Sequence, residues 1–510
     1  MTTVTTSYGK LQGVEEGALS VFRGMPFAHP PVGDLRFRAP ERAAGWDGTR
    51  DATRFGPACP QGPRPGTEQR SAFGGMFGQG ELETDEDCLT LNVWTPGLDG
   101  QRPVMVWIHG GGFRTGTGSS PMYDGANLAT RGDVVVVTVN YRLAIFGFLY
   151  LESLGGANFG ILDQIAALQW VRDEIAAFGG DPDNVTVFGE SAGGKSVETV
   201  LAAPASKGLY RRAIAESTYS PRMEPEAASE VAAQMLGQLK LDAADADQLR
   251  ALPQGELLRA QQLQAEAQMA AGTASVTAGF APVIDGEVLP KHPIEAIGGG
   301  QVAGVPLLLG TNLDESKLFG AMLPALRDLN EQGLLERLAS VVPGGEDEAV
   351  VQRAVEVYRS ARQSRGEPVS PSDIWFAIST DNMFRYHSTL LADAQSAQQP
   401  ATYMYLFTWQ GRGFEGALGA CHALELPFVF NNWDNPLAQI AGPGADADVL
   451  TAQMQDAWLA FAKSGDPNHE GLPPWTAYDA KRRATMILGE QCAMQDAPME
   501  PERLFWESLG

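Results

Sequence analysis

The sequence predicts an α/β fold with a large, mostly parallel central sheet and helices on both faces. Three observations carry this expectation. Nearly continuous apolar runs, PVMVWIHG (103–110), DVVVVTVNY (133–141) and NVTVFG (184–189), have the composition of strands buried on both sides. A helical segment, ILDQIAALQWVRDEIAAFGG (161–180), separates the second run from the third, with apolar residues at i, i+3, i+4 spacing and glycines at its end. The alternation then continues through the helical KSVETVLAA (195–203) and the runs RRAIAES, VPLLLG, ATYMYLF and ATMILG. Strands alternating with helices imply crossover connections, and therefore parallel neighbours.

Earlier β-type runs, KLQGV, ALSVF and CLTLNVW (88–94), add strands on the N-terminal side. Residues 222–270 and 320–395 are rich in Ala, Gln, Glu and Leu and read as helices without intervening strands. Both stretches are expected to be helical excursions over the strand ends. A chain of 510 residues could hold two or three domains, but no repeat and no long Ser/Gly or Pro linker divides it. One domain spanning 1–510 is the expectation.

Acidic residues outnumber basic ones by 62 to 37, a formal net charge of −25. Such a surface repels phosphate backbones and anionic headgroups, which excludes nucleic-acid and membrane partners as expectations. The N-terminus lacks a basic start followed by an apolar run, and nowhere do about 18 apolar residues follow one another. Four cysteines (59, 88, 421 and 492) form neither a disulfide scaffold nor a zinc pattern. A cytoplasmic protein without metal or cofactor is expected; no pattern indicates an oligomeric state.

The candidate chemistry begins where NVTVFG runs into Glu190-Ser191-Ala192-Gly193, giving G-x-S-x-G at 189–193. A strand-to-helix turn of this kind strains the serine backbone and lifts its hydroxyl above the sheet, and flanking glycines remove side chains that would clash. The following helix aims its N-terminal N–H groups at developing negative charge. The five-residue pattern is weak by itself; the buried strand before it and the helix after it make it specific. His109-Gly110-Gly111-Gly112-Phe113 follows the strand PVMVWI as a Gly-rich loop suited to an oxyanion. Each donor lost from such a loop costs roughly 2.7–4 kcal/mol of barrier.

A serine nucleophile needs a base and an orienting acid, which on this kind of sheet follow it in the order acid, histidine. His387 in FRYHSTLL reads as a packed or exposed helix residue, and His469 in SGDPNHEGLPP as part of a surface loop. His422 in GACHALELPFVF lies just beyond the strand ATYMYLFTW, where a base must hang. For the acid, LLLGTNLDES presents both Asp314 and Glu315, and position does not choose between them.

Together these motifs resemble the type B carboxylesterase and cholinesterase family, which includes bacterial para-nitrobenzyl esterases. The likeness runs nearly the whole chain and includes FRGMPFAHPPVGDLRFRAP (22–40), EDCLTLNVWTP (86–96), NYRLAIFGF (140–148) and FGGDPDNVTVFGESAGG (178–194). The resemblance implies an α/β-hydrolase fold and a serine carboxylesterase acting on small-molecule esters through an acyl-enzyme. It also implies a triad of Ser191, Glu315 and His422, the family's N-x-D-E motif assigning the acid to Glu315. The oxyanion amides fall on Gly111, Gly112 and Ala192, and Ser217 matches a serine near the triad. The aromatic pair that narrows the cholinesterase acyl pocket falls on Val276 and Ala278, and the loop between Cys59 and Cys88 has no Trp to stack on a quaternary ammonium. Broad small-to-medium acyl groups rather than choline esters are therefore expected. Cys59 and Cys88 match the family's first disulfide pair, although a reducing cytoplasm favours thiols. The family's DEG, YRLG and QSG read DES, YRLA and EST here, with Ala423 after the base, and none of these changes removes a catalytic group.

Two rival readings remain. GESAGGKS (189–196) also satisfies G-x-x-x-x-G-K-S, a phosphate-binding loop with Lys195 as its lysine. That reading explains neither HGGGF, GTNLDES nor His422. A catalytically silent adhesion relative of the esterases would have little use for an intact Ser191 and His422.

Overall fold

The structure is a computed structural model describing residues 1–62, 82–221, 223–270, 277, 279–320 and 323–510. At its centre, β6 (Arg102–Ile108) lies parallel to β7 (Val135–Val139) on one side and to β8 (Gly180–Glu190) on the other. Because side chains alternate along a strand, Val104, Val106 and Ile108 enter one apolar layer with Val135, Val137 and Val139, while Met105 and Trp107 enter the opposite layer with Val136 and Phe188. Both faces therefore need cover. Helices Phe159–Glu174 and Ala192–Ala202 supply it on one face through Ile161, Leu168, Val197 and Val200. Helix Ala445–Ser464 covers the other through Leu450, Met454, Trp458 and Phe461.

The sheet has thirteen strands among the described residues, in the order β1-β2-β3-β5-β7-β6-β8-β9-β10-β11-β12-β13, with β4 paired to β2. β1 (Thr2–Thr6), β2 (Gly9–Glu16), β3 (Leu19–Pro26), β4 (Thr49–Asp51) and β5 (Thr90–Thr95) lie at the N-terminal side. β9 (Arg212–Glu216), β10 (Leu307–Asn312), β11 (Thr402–Phe407), β12 (Ala484–Leu488) and β13 (Ala493–Asp496) complete the other. From β7 to β12 every pairing is parallel, as the βα alternation requires; the flanks β1, β2, β3, β5 and β13 are joined antiparallel. The sheet is thus mixed, with a parallel centre carrying the buried apolar runs.

The two Ala- and Leu-rich stretches are helical. Pro225–Leu239, Ala246–Ala251 and Gln254–Ala270 form the first group; Glu331–Leu338, Glu348–Ser364, Pro371–Thr380 and Tyr386–Ser396 form the second. The second group closes a small core of its own, in which Leu334, Val351, Tyr358 and Ile378 pack with Phe505 and Trp506 of the last helix. No helix among the described residues is long and apolar enough to cross a membrane.

Candidate active site

Ser191 follows β8 directly and caps helix Ala192–Ala202 with φ 59° and ψ −121°, a positive-φ conformation rare for a residue with a Cβ. The surrounding glycines explain how the turn is tolerated. A Cβ on Gly189 would stand 2.6 Å from the carbonyl oxygen of Ile108 on β6, one on Gly193 would strike the same oxygen, and one on Gly194 would strike the carbonyl of Glu216 on β9. The elbow is wedged between two strands with no room for side chains at these three positions. Its backbone is also tied to β9, since Ser191 N–H donates to Glu216 O at 3.0 Å.

His422 sits on the loop after β11 and Glu315 just past β10. The Ser191 hydroxyl lies 2.8 Å from His422 Nε2, and His422 Nδ1 lies 2.6 Å from Glu315 Oε2. All three are buried, Glu315 completely. Glu315 Oε1 accepts from Asn312 N–H at 2.7 Å and from the Ser217 hydroxyl at 2.7 Å. Phe384 and Phe319 pack against the His422 ring with centroids 4.8 and 5.1 Å away, restricting its rotation.

Asp314, the alternative acid, points elsewhere. Its Oδ2 accepts from Ala420 N–H at 3.1 Å, its own N–H donates to Ala420 O at 2.9 Å, and Lys317 Nζ lies 2.9 Å from Oδ1. Asp314 thus pins the loop that carries His422 without touching the imidazole. Of the remaining histidines, His387 is buried against Glu198 at 2.9 Å, and His469 Nε2 meets Gln453 O at 2.9 Å.

The loop His109–Phe113 packs directly on the elbow, where a Cβ on Gly110 would come within 2.8 Å of Glu190 O and 3.2 Å of Ser191 Cβ. Gly111 and Gly112 have φ of 113° and 63°. No backbone acceptor among the described residues takes the N–H of Gly111, Gly112 or Ala192, leaving three donors available at this end of the sheet. His109 stacks on Tyr141 with centroids 4.5 Å apart, and burial pushes it down to about 4, so it is a neutral structural ring. Val276 and Ala278 lie outside the described residues.

The comparisons with known proteins agree with this architecture. The carboxylesterase family model matches residues 1–506. The chain belongs to this family. It is 39% identical to the para-nitrobenzyl esterase of Bacillus subtilis (strain 168), over 98% of this chain and 97% of that protein. It is 36% identical to the phenmedipham hydrolase of Pseudarthrobacter oxydans, over 96% and 95% of the two chains. Among solved structures, a Geobacillus stearothermophilus carboxylesterase superposes with a TM-score of 0.85 at 40% identity, over 99% of this chain and 100% of that one. The protein is a carboxylic ester hydrolase with the α/β-hydrolase fold.

The esterase also buries carboxyl groups that its sequence did not announce. Glu190 Oε1 lies 3.1 Å from His422 Nε2, and burial, then Glu315 and Glu216, push the Glu190 carboxyl well above the ordinary range. Glu216, bonded to Trp458 Nε1 at 3.1 Å, is pushed by burial up to about 8. Glu425 is raised too, by burial and by the neighbouring carboxyls, and it accepts from Asn312 Nδ2, which also reaches Cys421 O at 2.8 Å. The only hint in the sequence was Glu190 itself, the residue between glycine and serine in the elbow. The esterase's cysteines are free thiols, Cys88 hydrogen-bonded to Cys59, whose sulfur accepts from Leu143 N–H at 3.1 Å. No group of three or more His, Cys, Asp or Glu among the described residues is arranged to hold a metal.

Proposed function

We propose that Ser191, His422 and Glu315 act as the catalytic triad, and that Gly111, Gly112 and Ala192 donate to the oxyanion. His422 Nε2 takes the proton of Ser191 as its oxygen attacks the ester carbonyl carbon. The three backbone N–H groups receive the negative charge of the tetrahedral intermediate. The alcohol leaves with the proton from His422, giving an acyl-enzyme. Water, deprotonated by the same imidazole, then releases the acid and restores the serine. Glu315 stabilises the imidazolium in both halves. The observation that carries this reading is the unbroken line Ser191 Oγ, His422 Nε2, His422 Nδ1, Glu315 Oε2, with contacts of 2.8 and 2.6 Å. Labelling with a fluorophosphonate probe tests it. The wild type is expected to be modified on Ser191 and inactivated, and Ser191→Ala to be unlabelled and inactive; labelling elsewhere with activity retained in Ser191→Ala would refute it.

The substrates we infer are esters with small to medium acyl groups, with choline esters disfavoured, because the sequence has Val276 and Ala278 where the family resemblance places a narrowing aromatic pair. A p-nitrobenzyl ester, the substrate named for the Bacillus relative, is a natural first compound, followed by p-nitrophenyl esters from acetate to laurate. A profile confined to acetate would contradict this inference. We further infer a single domain over 1–510, supported by the absence of a linker in the sequence, and a cytoplasmic location, supported by four cysteines that all stand as free thiols.

A further inference from the structure

Lys195, the lysine of the phosphate-loop match, is fully buried one turn along the helix from Ser191, where ester chemistry gives it no task. Its Nζ lies 2.8 Å from Oε1 of Glu198, which is also fully buried. The other Glu198 oxygen lies 2.9 Å from His387 Nε2 and accepts from the Thr218 hydroxyl at 2.6 Å. Burying two charges is costly, and an ion pair of this kind is weak evidence for stability alone. Burial would raise the Glu198 carboxyl, but His387 and Lys195 outweigh it and hold the carboxyl well below its ordinary range. The groups that face this carboxylate are Lys195 from its own helix, His387 from helix Tyr386–Ser396 and, further off, His292 at the start of helix Pro293–Gly298.

What the cluster grips is Thr218, and Thr218 follows Ser217. Ser217 has φ 49°, its N–H donates to Gly310 O at 2.8 Å, and its hydroxyl donates to Glu315 Oε1 at 2.7 Å. A non-glycine residue persists at positive φ only where its surroundings hold it. On one side the holder is β10, through Gly310. On the other it is Thr218, whose hydroxyl is fixed by Glu198 and whose carbonyl accepts from the Ser388 hydroxyl at 3.3 Å.

We propose that Glu198, held by Lys195 and His387, is a positioning residue: through Thr218 it holds Ser217 in the strained conformation that aligns Glu315 with His422. The proposal rests on Glu315 being the acid of the triad. It explains why a lysine and a glutamate are buried on the nucleophile's helix, and why the Glu198 carboxylate faces the strand end that supports the acid and not solvent.

The test separates positioning from packing. Thr218→Val keeps shape and removes the hydroxyl. With active sites counted by phosphonate titration, its kcat per site is expected to fall roughly 10-fold with KM within about two-fold, as for a small misalignment of a reacting group. Thr218→Ser keeps the hydroxyl and is expected within about two-fold of wild-type kcat. The paired replacement K195M/E198A removes both charges together and is expected to show the same loss, and adding Thr218→Val to it should cost nothing more, because the shared contact is already gone. Wild-type kcat in Thr218→Val, or losses that multiply in the combined variant, would overturn the proposal. Glu315→Gln is assayed alongside. If it stays active, the triad reading fails; if it is dead while Thr218→Val runs at full rate, only the positioning role fails.

Discussion

Glu190 and His422 face each other across 3.1 Å, at the same ring nitrogen that meets the Ser191 hydroxyl at 2.8 Å. The residue before the proposed nucleophile therefore shares the proposed base with it. An ionised carboxylate there would draw a proton onto Nε2 and remove the lone pair that Ser191 needs. Burial, Glu315 and Glu216 work against this by pushing the Glu190 carboxyl well above the ordinary range, toward its neutral form. Glu190→Gln mimics the protonated form, so the acidic limb of its kcat/KM profile should stay within about half a pH unit of wild type. A displacement of a full unit to lower pH would show that the carboxylate is charged beside the base.

Asp314 and Glu315 should separate cleanly. Glu315→Gln cannot stabilise the imidazolium, and its kcat is expected to fall by roughly 10³-fold or more with folding retained. Asp314→Asn keeps an acceptor for Ala420 N–H and loses only the Lys317 pair, so its kcat should remain within about 10-fold of wild type. Steady-state kinetics with melting curves decide the matter, and an inactive, well-folded Asp314→Asn would reverse the assignment.

Glu216 makes a prediction about stability and pH. Its folded-state value of about 8 exceeds that of an exposed glutamate, so between roughly pH 4.5 and 8 the native protein holds a proton that the unfolded chain releases. Stability from this group is complete below the unfolded value and is lost as pH rises toward the folded one. Glu216→Gln stays neutral in both states and should flatten the decline. Chemical denaturation of both proteins at pH 5 and pH 8 measures it; equal declines would show that Glu216 is not the source.

Lys195→Ala would leave the Glu198 carboxylate without its lysine and with His387, whose ring burial pushes toward the neutral form, and breaking one side of a buried pair costs about 3–5 kcal/mol. The expected outcome is a marked loss of thermal stability while Ser191 still takes up the phosphonate probe. Tight ATP binding in the wild type that vanishes in this variant would instead revive the phosphate-loop reading.

The parts of the molecule legible in the sequence share a physical cause. β6, β7 and β8 are buried on both faces, which forces unbroken apolar runs, and the elbow is crowded by Ile108 and Glu216 carbonyls, which forces glycine at 189, 193 and 194. Residue types alone left Asp314 and Glu315 open and only the family resemblance assigned Glu315; the contact that turns Asp314 aside comes from Ala420, on a segment about a hundred residues away. Glu190, Glu198, Glu216 and Glu425 were illegible for a related reason. A glutamate ordinarily marks a solvated surface, and each is buried by partners from other elements, as Trp458 is for Glu216 and His387 for Glu198. The antiparallel flanks escaped notice because their short early runs carry no helix between them to indicate direction.

Ser191, Glu315 and His422 stand at the ends of three different strands, and 231 residues separate the first from the last. Such a site has no local precursor: a chain that stops before β11 holds the proposed nucleophile without its proposed base. Contacts this distant close late in folding. Ester cleavage during refolding should consequently return after the helical circular dichroism signal, and a chain still emerging from the ribosome is expected to stay inert toward the esters around it at least until His422 has been added.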